Sequence, residues 1–227
     1  MGDTLAFPPY LISPRYGFAD ADYLANVTRG TAKRWLVGHA YEDNHGQRVV
    51  QPPITPGVHR EEGVSFADLV EIAAIGRLKE AEFSLRMIRE IVRNCQEILG
   101  VPRPLTTLRF KTGGGEIFVD RGDVLLEVGR KKRMQAWKEV LEPFLQELDY
   151  DTHQLAVRWW PLGRSTPVVI DPEYGFGFPV VAKSGVRTEI ILERFRAGDL
   201  NEQISADFNI EPVDVERALQ FELQRAA

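Results

Sequence analysis

The chain has 227 residues, of which 44% are hydrophobic and 27% are charged, a composition typical of a globular protein with one or two domains. No apolar run is long enough to cross a bilayer, and residues 1–10 lack the basic start and apolar core of a signal peptide. We therefore expect a cytoplasmic protein with no membrane partner. Cys95 is the only cysteine, which excludes an internal disulfide, and its position in a helical pattern predicts buried packing.

Charge is distributed unevenly along the chain, whose net charge at pH 7 is −5. Residues 1–60 hold six Lys or Arg and five Asp or Glu, whereas residues 171–227 hold six basic and eleven acidic residues. Because DNA binding depends on cations that neutralise phosphate, we expect any DNA contact near the N-terminus. The acidic C-terminal end is better suited to contacts with protein.

Residues 19–38 contain the pattern of two short helices joined by a tight turn. The first helix is predicted at Ala19–Ala25. The second is predicted at Arg29–Val37, with Thr28 as its N-cap and Gly38 at its end. Its apolar side includes Trp35, and its basic residues lie elsewhere on the helix. This arrangement is typical of a recognition helix that enters the major groove of DNA.

A short β-wing is predicted next, at residues 41–58, because two strand-forming valines lie between His45-Gly46 and a proline-rich stretch. In a winged helix-turn-helix the wing contacts the backbone or the minor groove, and here Arg48 or His45 is the candidate. The alternative is a helical hairpin that only packs. The DNA-reading interpretation assigns base or phosphate contacts to Thr28, Arg29, Gly30, Thr31, Lys33, Arg34 and Arg48. Because operators are usually two-fold symmetric, we also expect a homodimer.

Two longer helices follow the wing. Ser65 is the predicted N-cap of a helix at Phe66–Glu80, and Ser84 is the predicted N-cap of a helix at Leu85–Leu99, which the prolines at 102 and 104 would end. The helix at Phe66–Glu80 is a candidate dimer surface, unless the core uses its apolar face.

A switch to strand patterns marks a middle region. The predicted elements are a hairpin over residues 108–119 with a Gly113-Gly114-Gly115 turn, a strand at 124–128, a helix at 137–148 broken or restarted at Pro143, and a strand at 154–160. The basic run Arg130–Arg133 either contacts phosphate or forms a solvated loop.

The last region is predicted to end in three short helices, of which the last two form a second helix-turn-helix shape. They are Glu189–Ala197 with Thr188 as N-cap, Asn201–Phe208 followed by a turn at Asn209, and Val213–Gln224 with Leu223 on its buried side. The predicted fold is therefore α+β. It comprises an N-terminal winged helix-turn-helix (residues 1–100), a small central β-rich region (101–164) and a C-terminal three-helix domain (165–227).

Motifs for catalysis and cofactor binding are missing from the sequence. The glycines at 113–115 lack the Lys-Ser/Thr of a phosphate-binding loop. The four histidines have no metal-ligand spacing, and there is no nucleophile elbow or HExxH motif. We therefore expect no enzyme activity, no cofactor and no metal.

Both ends of the chain resemble antitoxins. The stretch Tyr16–Leu36, the wing and Val64–Glu71 resemble the MerR-like winged domain of VapB-type antitoxins. The stretch Val169–Glu189, with its Asp-Pro…Gly-x-Pro…Gly-Val…Thr pattern, is similar, together with Ala218–Glu222, to a small uncharacterised antitoxin-associated family. The resemblance implies a type II antitoxin and autorepressor that binds its own promoter DNA and neutralises a VapC-type PIN-domain ribonuclease encoded beside it.

The acidic second helix-turn-helix is then expected to bind protein, either a second copy of the chain or the toxin, because phosphate would repel it. The resemblance implies that the toxin's active site is a cluster of acids around a divalent metal, which an arginine can block. The candidate arginines are Arg187, Arg194 and Arg196; a solvated surface role is the alternative for each.

Two other functions fit the same features. The first is a MerR-like transcriptional regulator that acts without a toxin, and a gene for a small acid-rich nuclease next door would argue against it. The second is an adaptor whose helix-turn-helix units bind only protein, and salt-dependent binding to its own upstream DNA would argue against that.

Overall fold

The computed structural model describes residues 7–55, 62–101, 103–107, 137 and 139–225. These ranges combine α-helices with small two-stranded sheets, which confirms the predicted α+β class. The predicted hairpin at 108–119, strand at 124–128 and basic run at 130–133 lie outside the described residues. Across the described ranges, no helix has both the length and the apolar character that a membrane span requires.

The chain divides into two compact units. One comprises Met1–Leu145 and Tyr150–Ala156, and the other comprises Gln146–Asp149 and Val157–Ala227. The elements from the N-terminus to residue 107 are α1 (Pro9–Ile12), α2 (Phe18–Leu24), α3 (Thr31–Val37), β1 (His39–Glu42), β2 (Arg48–Gln51), α4 (Phe66–Glu80), α5 (Leu85–Leu99) and a 3₁₀ turn (Pro104–Thr106).

Helix α4 begins at a buried capping box, as predicted. The Ser65 hydroxyl accepts a hydrogen bond from the Asp68 backbone N–H at 3.1 Å, and the Asp68 carboxylate accepts one from the Ser65 N–H at 3.0 Å. Helices α1, α2, α3 and α5 all pack against α4. Every residue from Phe66 to Gly76 is buried, so the core uses the apolar side chains of α4. The prediction of a dimer surface on this helix is therefore wrong.

Helix α5 spans the predicted residues and begins at Ser84, whose hydroxyl accepts from the Met87 N–H at 3.3 Å. It ends at Gly100, which adopts a left-handed φ of 64°. A glycine in this conformation satisfies the last carbonyls of a helix. Helix α5 therefore ends at Gly100, before the prolines at 102 and 104 that are predicted to end it.

An ion pair is buried at the start of α4. The Arg103 guanidinium lies 2.5 Å from the Asp68 carboxylate, and both side chains are almost fully buried. One turn along the helix, the fully buried Glu71 accepts a hydrogen bond from the Leu105 backbone N–H at 2.8 Å. These contacts connect α4 to the 3₁₀ turn at Pro104–Thr106. None of them follows from a local sequence pattern.

Burial controls the protonation of two groups in this core. Desolvation raises the pKa of Glu71 to about 7, against the opposing effect of Arg103. Burial, with a smaller contribution from nearby Glu71, raises the pKa of the Cys95 thiol to about 12. A thiol that stays protonated is a weak nucleophile, and the complete burial of Cys95 confirms the predicted packing role.

The helical stretch at residues 139–146, α6, contains Pro143 without a break. The predicted interruption at Pro143 is therefore wrong, and so is the predicted end at Leu148, which begins a strand. The remaining elements are β3 (Leu148–Tyr150), β4 (Ala156–Trp159), β5 (Val168–Val169), β6 (Val180–Val181), α7 (Thr188–Arg196), α8 (Asn201–Phe208) and α9 (Pro212–Arg225). Strands β3 and β4 pair with each other, as do β5 and β6.

Helices α7, α8 and α9 enclose a core of their own, formed by Val181, Ile191, Leu192, Ile204, Ile210, Val215, Ala218 and Leu219. The predicted turn at Asn209 is confirmed by its left-handed φ of 51°. Thr188 is not the N-cap of α7, because Arg187 occupies that position and the buried Thr188 hydroxyl bonds to the Glu222 carboxylate instead. Leu223 is 48% exposed rather than inward, and Phe221 is buried in α9.

Replacing Glu71 with glutamine tests the buried carboxyl. Burial penalises the charged form, so the stabilising contribution of neutral Glu71 is complete below its ordinary pKa of 4.5 and is lost as the pH rises through about 7. Between pH 5 and 8 the wild-type chain should lose up to about 3 kcal/mol of unfolding free energy from this group. Glu71→Gln should lack this loss, as measured by urea denaturation at both pH values.

The exposed Glu97 on α5 provides a matched control. Glu97→Gln should follow the wild-type pH dependence. A Glu71→Gln variant that loses as much stability as wild type between pH 5 and 8 would contradict the buried titration.

Candidate nucleic-acid interface

Helices α2 and α3 form the predicted helix-turn-helix, and both pack on α4. Helix α2 ends at Leu24, and the chain turns at Asn26, which has a left-handed φ of 54°. The Val27 N–H donates to the Asp22 carbonyl at 2.9 Å, which closes the turn. Leu24 in α2 and Leu36 in α3 are both buried. The two helices are thus held in a fixed relation by the core beneath them.

Asp22 caps the N-terminus of α3 from the preceding helix. Its carboxylate oxygens accept the backbone N–H of Gly30 at 2.6 Å and of Ala32 at 2.7 Å, and the residue is 4% exposed. The prediction of Thr28 as the N-cap is therefore wrong. Helix α3 begins two residues later than predicted because Gly30, with a φ of 81°, occupies the N-cap position in a left-handed conformation that favours glycine.

This cap changes which groups α3 can offer to DNA. A free helix N-terminus attracts phosphate through its N–H groups, but here the Asp22 carboxylate occupies those of Gly30 and Ala32. Thr31 is 4% exposed, and its hydroxyl accepts a hydrogen bond from the Arg34 guanidinium at 3.0 Å. It also shares one of 2.9 Å with the Thr28 hydroxyl. Thr31 therefore orients Arg34. The positive charge that α3 exposes to solvent is carried by its basic side chains, because its first backbone N–H groups are occupied by Asp22.

The structure brings the predicted cations to the surface. The four cations Arg29, Lys33, Arg34 and Arg48 are all exposed. The ammonium of Lys33 lies 6.0 Å from the centre of the Phe18 ring. Exposed cations of this kind can neutralise phosphate.

The predicted wing is confirmed as an antiparallel pair of strands, β1 and β2. Asp43 shapes its turn, since one carboxylate oxygen accepts the backbone N–H of His45 at 2.8 Å and of Gln47 at 2.9 Å. Both Arg48 and His45 are exposed. Beyond β2, the Ile54 N–H donates to the Trp35 carbonyl at 2.8 Å. The base of the wing, where His39 pairs with Gln51, is therefore held to α3 both by this hydrogen bond and through Gly38.

Two of the three candidate arginines of the C-terminal unit are already paired with acids. Arg187 bonds to Glu189 at 2.7 Å, and its guanidinium lies 4.5 Å from the centre of the Phe178 ring. Arg194 bonds to Asp207 at 2.7 Å and also to Asp199, and these hydrogen bonds raise the pKa of Arg194 above its ordinary value. Arg196 is exposed. The role of all three in toxin contact stays a prediction.

Sequence reasoning missed Asp22 as a site residue and counted it only among the acids of the N-terminal region. Its partners lie eight and ten residues away, beyond the reach of local capping rules. The available signal was Gly30, because a glycine directly before an amphipathic run is a recognised N-cap residue. Within the described ranges, no group of three or more His, Cys, Asp or Glu side chains is arranged to hold a metal ion.

Comparisons with known proteins find similarity along most of the chain. Residues 168–221 match the family described as protein of unknown function (DUF433), which agrees with the predicted resemblance of this end to an uncharacterised family. The chain is 26% identical over 223 residues to "Putative antitoxin VapB45" of Mycobacterium tuberculosis, covering 91% of this chain and 92% of that protein.

A solved structure shares the fold. It is the crystal structure of Rv2018 from Mycobacterium tuberculosis, which superimposes with a TM-score of 0.66 at 22% identity and covers 91% of this chain and 97% of that one. The likeness therefore extends across both compact units.

Removing the Asp22 carboxylate should destabilise α3. Asp22→Ala leaves two N–H groups at the start of α3 without a partner, one of them buried, at a cost of about 1–3 kcal/mol in unfolding free energy. Asp20→Ala removes an exposed capping acid from α2, where it accepts the Gly17 N–H at 2.9 Å, and should cost about 1 kcal/mol or less. Urea denaturation measures both values. Equal losses in the two variants would contradict the special role of Asp22.

Proposed function

We propose that this chain is the antitoxin of a type II toxin–antitoxin system. In this proposal the N-terminal unit binds the promoter of its own gene, and the C-terminal unit binds and neutralises a VapC-type PIN-domain ribonuclease. The observation that carries the proposal is the similarity to "Putative antitoxin VapB45", which extends over 91% of the chain. The chain itself is proposed to have no catalytic activity.

The geometry of the N-terminal unit supports DNA binding. Exposed cations lie on α3, on the turn before it and on the wing. Helix α3 packs on α4, and the base of the wing is held to α3 by the Trp35–Ile54 hydrogen bond. In winged helix-turn-helix proteins these two elements contact the major groove and the adjacent backbone. We assign base or phosphate contacts to Arg29, Lys33, Arg34 and Arg48. The predicted homodimer on a two-fold operator is part of the same proposal.

The charge of the C-terminal unit favours binding to protein over binding to DNA. Residues 146–149 and 157–227 hold eight basic and thirteen acidic residues, so the field around this unit repels phosphate. It complements a partner that carries basic side chains. A ribonuclease is such a partner, because it must hold the phosphates of its RNA substrate.

Salt-dependent binding to upstream DNA tests the first half of the proposal. Arg29→Ala combined with Arg34→Ala removes two phosphate or base contacts, so the slope of log K against log salt should fall by about two. The binding free energy should weaken by about 2 kcal/mol or more. Fluorescence anisotropy at several salt concentrations measures both quantities.

A control with the same change in charge is available in the C-terminal unit. Lys183→Ala combined with Arg217→Ala also removes two exposed cations and should leave the slope and affinity near wild type. If the Arg29/Arg34 variant behaves like this control, DNA reading by α3 is wrong, and a protein-binding adaptor becomes the better interpretation.

Co-expression with the product of the neighbouring gene tests the second half. A complex should survive purification at about 150 mM salt, and the growth arrest caused by that product alone should be relieved. Absence of both results, with DNA binding intact, would favour a transcriptional regulator that acts without a toxin.

A further inference from the structure

The loop at residues 171–178, which we call the aromatic loop, holds an aromatic side chain in an unfavourable backbone conformation. Gly175, Phe176 and Gly177 have consecutive left-handed φ values of 58°, 58° and 80°. Left-handed backbone is rare for a bulky residue such as phenylalanine. Phe176 is nevertheless 82% exposed, so packing in its own chain does not explain the conformation.

Contacts around the aromatic loop fix this shape. The Asp171 carboxylate accepts the Glu173 N–H at 2.9 Å and the Arg158 guanidinium at 2.8 Å. Tyr174 lies against Gly185, where an added Cβ would come within 2.6 Å of the tyrosine hydroxyl. These contacts fix the loop around Phe176, whose side chain stays exposed. Unfavourable backbone conformations persist only where the surrounding structure fixes them, and they are common at functional sites.

The surface around Phe176 combines aromatic rings with negative charge. Tyr174 is 48% exposed, and Phe178 is half-buried beneath Arg187. Glu173 is exposed within the same loop, and Glu189 neutralises the charge of Arg187. Exposed aromatic residues that a fold keeps in water are typical anchors for a partner. The Glu173 carboxylate and the net negative charge of the whole C-terminal unit favour a partner surface that is basic.

A nuclease that binds single-stranded RNA has a surface of this complementary kind. Basic side chains line the groove that follows the phosphates, and flat surfaces stack against unpaired bases. The acidic metal-binding centre of such an enzyme would repel Glu173, whereas its basic groove would attract it. The aromatic loop offers an exposed ring at Phe176 and an exposed carboxylate at Glu173, which are the kinds of group that such a surface binds.

We propose that the aromatic loop binds the RNA groove of the partner ribonuclease as a mimic of its substrate, with Phe176 in the place of a base and Glu173 in the place of a phosphate. This inference rests on the proposed antitoxin function, and it names the surface through which the toxin is neutralised. It differs from inhibition by an arginine inserted among the acids of the active site.

The decisive variant is Phe176→Asn, because asparagine tolerates left-handed backbone better than phenylalanine does. The probe is the purified ribonuclease encoded by the neighbouring gene. We expect Kd to rise by about thirtyfold or more, as for an interface anchor. We expect the Tm of the free variant to equal or exceed that of wild type, whereas a phenylalanine with a structural role would lower it. Isothermal titration calorimetry measures Kd, and differential scanning calorimetry measures Tm.

Val213→Asn is the matched control, since Val213 is 52% exposed at the start of α9 in the second helix-turn-helix. Its Kd should stay within about threefold of wild type. A larger loss for Val213→Asn than for Phe176→Asn would overturn the inference and assign the toxin contact to the helix-turn-helix. An unchanged Kd for Phe176→Asn would overturn it as well, while leaving the antitoxin proposal intact.

Competition separates mimicry from binding elsewhere on the enzyme. A labelled single-stranded RNA oligonucleotide should be displaced from the ribonuclease by the wild-type chain, and about thirtyfold more Phe176→Asn should be needed. Simultaneous binding of RNA and chain would overturn the mimicry. Failure of the wild-type chain to bind the ribonuclease at all would reject the antitoxin proposal together with this inference. Loss of self-association in Phe176→Asn, with the Kd for the ribonuclease unchanged, would identify a second copy as the occupant.

Discussion

The Asp68 carboxylate joins two parts of the N-terminal unit at one buried point. It closes the capping box with Ser65 at the start of α4, and it forms an ion pair with Arg103, which directly precedes the 3₁₀ turn. A buried pair of this kind is hard to break, because removing one partner leaves the other charge without compensation. The position of α4 is fixed in this way, and α4 in turn supports the helices that carry the candidate DNA surface.

The two compact units use charge in opposite ways. Near α3 in the N-terminal unit, Asp22 and Asp43 accept backbone hydrogen bonds, while the cations Arg29, Lys33, Arg34 and Arg48 are exposed. In the C-terminal unit most of the candidate cations are paired with acids, as with Arg187 and Arg194, and the excess charge is negative. The net charge of the whole chain conceals this division.

Local rules predicted much of the fold. Helices α4, α5 and α8 have the predicted bounds, because a capping serine, a glycine or a clear apolar period marks their ends. The helix-turn-helix and the wing were likewise evident from the order of short patterns. The candidate cations are exposed as expected, since a basic residue off the apolar stripe of an amphipathic helix faces solvent.

The two wrong N-caps, Thr28 and Thr188, share a physical cause, which is a partner distant in sequence. Thr188 had the features of an N-cap, but Glu222, 34 residues away, binds its hydroxyl. The burial of Glu71, whose carboxylate accepts from Leu105 34 residues away, likewise follows from no local pattern. Phe176 is left-handed between two left-handed glycines, Gly175 and Gly177, a conformation that no local rule predicts for phenylalanine.

Gly38 sets a limit on how the N-terminal unit can vary. Its φ is 85°, and an added Cβ would lie 2.6 Å from the Gln51 carbonyl. The backbone of α3 thus passes directly into the base of the wing with no room for a side chain, and the Trp35 carbonyl holds the same base through Ile54. A substitution of Gly38 would have to move the wing relative to α3. Exposed side chains on α3 and on the wing can change without disturbing that connection.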